Sequence, residues 1–340
     1  MTARVQTVTG PIAPEQLGRT LMHEHVLVGY AGWEADWIRP GPSRREMIAR
    51  AVDKLEEIKA EGITSMIDPC PCDLGRDIEL TAEVAQRARF QIVAATGLYY
   101  ESEGGAAHWK TRSAFGGAQD EAMAELFIRE LEQGVASTGI RPGIIKVASG
   151  FDAITDYETS VMRAAAKASA VAGVPITTHT DRGTMGPEQQ AILTGAGAAP
   201  NRIVIGHSCG TSDAEYHDRL VAGGTYLGFD RFGLDLIHPD AQRVESLLRL
   251  IRRGAGKRVV VSHDTVWCWR GQPIAKPLLD EIEKVWTPSH FTRRIVPRLL
   301  DGGATKDDVE NLLIHNPRRF FAGEKLPGYY PLGEAPTPIW

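Results

Sequence analysis

His23 and His25 stand two residues apart in the apolar run from Thr20 to Leu27. On an extended chain, residues two apart point to the same side, so a strand would aim both imidazoles at one place. Two neutral imidazoles side by side can grip one divalent ion. A lone His-x-His pair is more often two ordinary polar residues. Here Lys146, His179, His207 and Asp264 each close a later apolar run. Four imidazoles, a carboxylate and a lysine are nearly the ligand set for two borderline cations. Lysine is the unusual member. An unpaired buried ammonium is costly, and burial lowers its pKa and frees the amine. A free amine can capture carbon dioxide as a carbamate, whose two oxygens can bridge two cations. The residues permit that chemistry without demanding it.

The elements that must position these groups alternate along the chain. Apolar runs ending at His25, Asp68, Thr96, Val147, His179, His207, Asp230 and Asp264 read as eight strands, each followed by helix-compatible sequence. Ser43 and Glu46 form a capping box, Met47, Ile48, Ala51, Val52, Leu55 and Ile58 recur at helical spacing, and Gly62 stops that helix. Thr155 and Glu158 make a second box. Strict alternation argues for a parallel sheet, and eight units argue for a closed (β/α)8 TIM barrel spanning residues 1–340 as one domain. Short strands in residues 4–20 would precede it and a Pro-rich tail, 326–340, would follow. An open doubly wound sheet would want a Gly-rich phosphate loop after the first strand, where His-Glu-His stands instead. Two helices are expected near residues 290–300 and 305–314, the second closed by Pro317. In such a barrel the catalytic face is the C-terminal end of the strands, where all six candidate ligands fall.

Composition excludes several classes of function. The net charge of −5 is spread without a basic block, which argues against nucleic acid. No apolar run approaches the ~20 residues that span a membrane. Four cysteines, Cys70, Cys72, Cys209 and Cys268, are too few for a disulfide scaffold. Cys70 and Cys72 read as core thiols before soft ligands. Met1 to Gly10 lacks a charged-then-apolar leader pattern. A cytoplasmic protein acting on a small molecule is expected.

The motifs carry a resemblance. His23-Glu24-His25, Lys146, His179, His207 and Asp264 on successive strand ends resemble the amidohydrolase superfamily. Asp73-Leu74-Gly75-Arg76-Asp77, Thr96-Gly97-Leu98-Tyr99, Ile205-Gly206-His207, the run from Gly228 to Asp235, Ser262-His263-Asp264 and Asn316 to Phe321 resemble phosphotriesterases and phosphotriesterase-like lactonases, in order over nearly the whole chain. The resemblance implies two divalent ions, zinc first and cobalt, manganese or iron as alternatives. It implies that His23, His25 and Asp264 hold the buried ion, that His179 and His207 hold the more exposed one, and that carbamylated Lys146 bridges them. Asp264 would act as general base, with Tyr99 and Arg231 near the reacting group as in the lactonases. It also implies a homodimer. The reaction would be hydrolysis of acyl-homoserine or related lactones, with promiscuous organophosphate triesterase activity. A triesterase proper, another carboxylester, amide or carbamate hydrolase, and a non-catalytic metal- or partner-binding barrel are the alternatives.

Some positions carry two readings. Arg231 either orients substrate or forms a surface salt bridge. Trp33, Trp37, Trp267 and Trp269 either wall an apolar substrate pocket or are ordinary packing, and the loop from Thr265 to Gly271 departs from the lactonase pattern. His108, His217, His238, His290 and His315 read as structural or solvated. His263 should point away from the side that Asp264 faces.

Overall fold

A computed structural model describes residues 3–326. The chain opens with a small antiparallel hairpin, β1 (Val5–Thr7) and β2 (Gly10–Ile12). Val8 N–H donates to Ile92 O at 2.9 Å and ties the hairpin to the barrel floor. Eight parallel strands then form one sheet in sequence order: β3 (Thr20–Leu21), β4 (Ser65–Asp68), β5 (Gln91–Gly97), β6 (Ile144–Ala148), β7 (Ile176–His179), β8 (Ile203–Ile205), β9 (Tyr226–Phe229) and β10 (Val259–Val261). The seam between β10 and β3 closes through single bonds: Met22 N–H to Val261 O, Asp264 N–H to His23 O, and His25 N–H to Thr265 O. The TIM barrel expected from alternation is therefore the fold. Ile67, Val93, Ile144, Val204 and Val260 fill its interior, with Phe320 and Phe321 packed below.

Eight helices lie between or beyond these strands before the last barrel strand: α1 (Arg44–Ala60), α2 (Ile78–Ala88), α3 (Ala106–Ala114), α4 (Gln119–Gln133), α5 (Asp156–Ala172), α6 (Gly186–Gly195), α7 (Ala214–Ala222) and α8 (Asp240–Arg252). Both expected capping boxes form. Ser43 N–H donates to Glu46 Oε2 at 2.8 Å, and Thr155 N–H donates to Glu158 Oε2 at 3.0 Å. Each box satisfies amide groups that the first helical turn leaves free. The apolar side of α1, from Met47 to Ile58, is buried against the strands. No periodicity announces α3, because Ala106 is its one buried residue and Gly105 offers no cap.

Three expected strands stop short. The runs ending at His25, His207 and Asp264 leave the ladder at Leu21, Ile205 and Val261. His207 and Asp264 have φ of 56° and 58°, a left-handed backbone that cannot continue a strand. Likewise β4 starts at Ser65 because Ile63 N–H still donates to Ile58 O at the end of α1.

After β10 a long loop carries α9 (Lys276–Ile282), then a π turn (Phe291–Ile295) enters α10 (Val296–Asp301). Next, α11 (Lys306–Glu310) passes through a second π turn (Asn311–His315) into α12 (Asn316–Ala322). Pro317 thus does not close a helix. The widened turn before it places its missing N–H in the first turn of α12, where no partner is required. Helix α12 ends at Gly323, φ 71°. Of the Pro-rich tail, Leu326 packs against the cluster that fills the barrel floor, and residues 327–340 lie outside the described residues. Among the described residues no helix is long and apolar enough to cross a membrane.

Candidate metal centre

Each candidate ligand sits at the C-terminal end of a barrel strand. His23 and His25 follow β3, Lys146 lies on β6, His179 ends β7, His207 follows β8 and Asp264 follows β10. Lysine reaches the centre because Gly97 ends β5 beside it. A Cβ at Gly97, φ 118°, would stand 1.8 Å from Lys146 O. No larger residue allows that strand approach.

The six residues meet. Lys146 Nζ is 3.0 Å from His23 Nε2. Asp264 Oδ1 is 3.4 Å from His23 Nε2 and 3.2 Å from His25 Nε2, and its Oδ2 is 3.6 Å from His207 Nε2. The His179 ring centroid lies 4.7 Å from that of His207. All are buried except Asp264, whose side chain is 12% exposed.

Asp230, at the end of β9, fixes two of the rings. Its Oδ1 accepts from His207 Nδ1 at 2.9 Å and from His207 N–H, and its Oδ2 accepts from His23 Nδ1 at 3.2 Å. Protons on these Nδ1 atoms, assigned from the hydrogen-bond network, leave both Nε2 lone pairs free toward the centre. A Cβ at Gly228 would meet Asp230 Oδ2 at 2.4 Å, so glycine makes room for the carboxylate. His25 presents its other nitrogen, Nδ1, to Asp68 Oδ1 at 3.4 Å. Neither Asp68 nor Asp230 was singled out as a site residue from the sequence. Their one signal is the position they share with the ligands, the last residue of an apolar run.

The electrostatics suit cations. Burial lowers His207 to about 3 and holds His179 well below the usual imidazole value, so both are neutral at physiological pH. Burial and the Lys146 charge lower His23 as well. Burial also brings Lys146 down to about 8, against the pull of Asp264 and Asp230, so a share of its amine is free. His25 runs the other way. Burial opposes its charge, yet hydrogen bonding to Asp264 and Asp68 outweighs it and raises the imidazole well above its usual value. An ion arriving at His25 therefore displaces a proton. For Asp264 burial acts upward, but His207, Arg231 and His23 hold the carboxyl well below its usual range. Buried His179 Nε2 and His207 Nε2 have no hydrogen-bond partner. Such orphan nitrogens require a reason, and a cation between them supplies one. His23, His207 and Asp264 are close enough to share one ion. The donor set fits a divalent metal.

Around this cluster, Arg231 Nε donates to Asp264 Oδ2 at 2.8 Å, with both side chains largely buried. The surface salt bridge is therefore not its role. Tyr99 hydroxyl lies 3.2 Å from His179 Nδ1, and burial raises its pKa well above the usual phenol value. Tyr100, not expected at the site, stacks on His179 at 5.4 Å between centroids and 23° between planes.

The four tryptophans separate. Trp37 is 81% exposed, and Trp267 is packed in the core with its indole N–H donating to Thr265 Oγ1 at 2.9 Å. Trp33 lies under the Arg270 guanidinium, 4.8 Å from the ring centre. Trp267 and Trp269 line a cavity of about 490 Å³ with Pro42, Ile274 and Leu279, but none of the six candidate ligands borders it. Trp269 also stacks on Tyr30, with ring centroids 6.1 Å apart. Aromatic composition cannot reveal this, since a core ring and a pocket ring read alike. The four cysteines are free thiols, and burial pushes Cys70 up and Cys72 up to about 12; Cys70 also lies with His25 and Asp68, the three close enough to share an ion. His217 and His290 are buried and hydrogen-bonded, to Ser208 O and Asp240 Oδ2 respectively. His263 faces Glu24 and not the cluster.

Known proteins resemble this chain in sequence and in fold. The model of the phosphotriesterase family matches residues 3–321. A Mycobacterium tuberculosis protein called phosphotriesterase homology protein is 36% identical over 329 residues, 96% of this chain and 99% of its own. Among solved structures, the organophosphorus hydrolase from Deinococcus radiodurans is 40% identical with a TM-score of 0.89, over 94% of this chain and 97% of that one. A mutant of a PTE-like lactonase from the same organism is 39% identical, also with a TM-score of 0.89, over 93% of this chain and 99% of that one. Matched almost end to end in sequence and in fold, this chain belongs to the phosphotriesterase family and is a hydrolase.

Proposed function

We propose that the protein is a binuclear metal-dependent hydrolase that opens lactones, acyl-homoserine lactones or their relatives, and cleaves organophosphate triesters as a secondary activity. The observation that carries the carbonyl preference is the placement of Tyr99 and Arg231, one hydroxyl and one guanidinium, against His179 and Asp264. The relative called a PTE-like lactonase and the one called an organophosphorus hydrolase support both halves of the reading.

In this reading His23, His25 and Asp264 would hold one ion, His179 and His207 would hold the other, and Lys146, once carbamylated, would supply a further ligand. The ions, when bound, supply Lewis acidity and an acidified water at neutral pH. Asp264 accepts a proton from the attacking water at its carboxylate. Arg231 keeps that carboxylate charged and in place through Oδ2. Tyr99 stays protonated, so its hydroxyl can donate to the oxygen that gains charge as the planar carbonyl becomes tetrahedral. Tyr100, stacked on His179, would hold that ring in place.

Lactones of graded chain length, assayed with paraoxon on metal-loaded enzyme, test this. Lactones are expected to show the higher kcat/KM. Tyr99→Phe should lower lactone turnover by roughly 100-fold, the range of one lost oxyanion donor, and affect paraoxon less. The lactonase reading fails if no lactone of any length is opened faster than paraoxon.

A further inference from the structure

We infer that Glu24, the residue between the two histidines, is the positioning residue that fixes the backbone of Asp264 and thereby sets how tightly an ion is held by His23, His25 and Asp264. This rests on the metal-centre reading above. Strand alternation turns Glu24 away from its histidine neighbours. Its side chain enters the seam between β3 and β10 and is fully buried. There Oε1 accepts from Ser262 Oγ at 2.7 Å, His263 N–H at 3.0 Å and His263 Nδ1 at 2.6 Å. Oε2 accepts from Thr265 N–H at 3.2 Å and from the Thr265 hydroxyl. One carboxylate thus grips the amide groups of the residues immediately before and after Asp264.

That grip falls where the backbone needs it. Asp264 has φ 58°, a left-handed backbone that aspartate tolerates better than most residues but that still costs energy unless the surroundings hold it. The donors to Glu24 are themselves fixed. Phe291 N–H donates to His263 Nε2 at 2.8 Å, so the neutral ring carries its proton on Nδ1 and can only donate to Glu24. Trp267 Nε1 donates to Thr265 Oγ1, and Trp286 Nε1 donates to His263 O at 2.8 Å. No lysine or arginine is among the groups bonded to Glu24; its charge is met by five donors alone. Asp264 N–H to His23 O and His25 N–H to Thr265 O complete the seam. The two ligand segments are therefore registered on each other by a residue that touches no ion.

The test is Glu24→Gln in the full chain, loaded with cadmium and read by cadmium NMR and by competition with a chelator. The amide turns an N–H toward donors that need an acceptor. The ion held by His23, His25 and Asp264 should bind roughly 10–100-fold more weakly, the range for loss of an outer partner, with its resonance shifted. The ion held by His179 and His207 should be retained with an unchanged resonance. Leu193→Ala, a core truncation in α6, serves as the control for lost stability and should leave both resonances in place. Native affinity and unshifted resonances in Glu24→Gln overturn the inference. Equal weakening of both ions overturns it too, since that is general destabilisation. If Glu24→Gln does not fold, Ser262→Ala and Thr265→Val each remove one donor. Each should weaken the same ion selectively, and native affinity in both overturns the inference. Wild-type protein that takes up no cadmium defeats the metal-centre reading itself.

Discussion

Asp264→Ala is expected to abolish nearly all turnover and, separately, to destabilise the metal-free protein. Loss of a general base alone lowers rates by about 100- to 10,000-fold, and the same change removes a ligand atom close to His23, His25 and His207. The stability effect comes from Arg231. Its guanidinium is 11% exposed and has its ion pair with Asp264. Removing one partner of a buried pair leaves the other charge uncompensated, at about 3–5 kcal/mol. Asp264→Asn also loses the counter-charge but keeps an amide oxygen that can accept from Arg231 Nε, so it should be less destabilised than Asp264→Ala while equally short of the proton acceptor. Thermal denaturation of both metal-free variants beside a turnover assay checks the pair of claims. An Asp264→Ala enzyme within about ten-fold of native turnover would rule out the general-base role.

Lys146→Ala should have the second large effect. Two-metal hydrolase sites carry about two ions per chain, and without a bridging carbamate elemental analysis should find one or none. Turnover should fall by roughly 1,000-fold, about 4 kcal/mol, and short carboxylic acids added to the medium should restore part of it by occupying the bridge. Lys146→Met, by contrast, replaces a buried amine with a thioether of similar length, so the metal-free fold should be as stable as the native or more so. Native protein grown with labelled bicarbonate should show a carbamate carbon by NMR. Full activity and two ions in Lys146→Met would refute the bridging role.

The fold was legible because its signals are local and repeated. Ser43 with Glu46, and Thr155 with Glu158, announce helix starts from four residues each, and both form as expected. The ligands were legible because a histidine, lysine or aspartate at the end of an apolar run is conspicuous. Asp68 and Asp230 end such runs too, yet their task depends on which ring nitrogen they face, a relation between strands that no single run contains. Trp37 and Trp267 show the same limit. One is solvent-exposed and the other core, and the difference is set by how the loops fold over α1 and β10. Pro317 illustrates a third case, in which a residue that stops an ordinary helix is accommodated by a turn of different pitch just before it.

The left-handed backbone at His207 and Asp264 has a consequence for how this family member can change. At these two positions the chain filters substitutions before chemistry does. Residues that visit this region readily are glycine, asparagine, aspartate and histidine. A branched or bulky replacement carries a backbone cost of about 1–3 kcal/mol, whatever ion or substrate is under selection. His23, His25 and His179 are under no such filter, since their φ angles are negative. Variation in metal preference should therefore accumulate at those three histidines, while 207 and 264 exchange within a four-letter alphabet. A saturation library sorted for folded protein in the absence of metal would show that asymmetry directly, and equal tolerance at all five positions would contradict it.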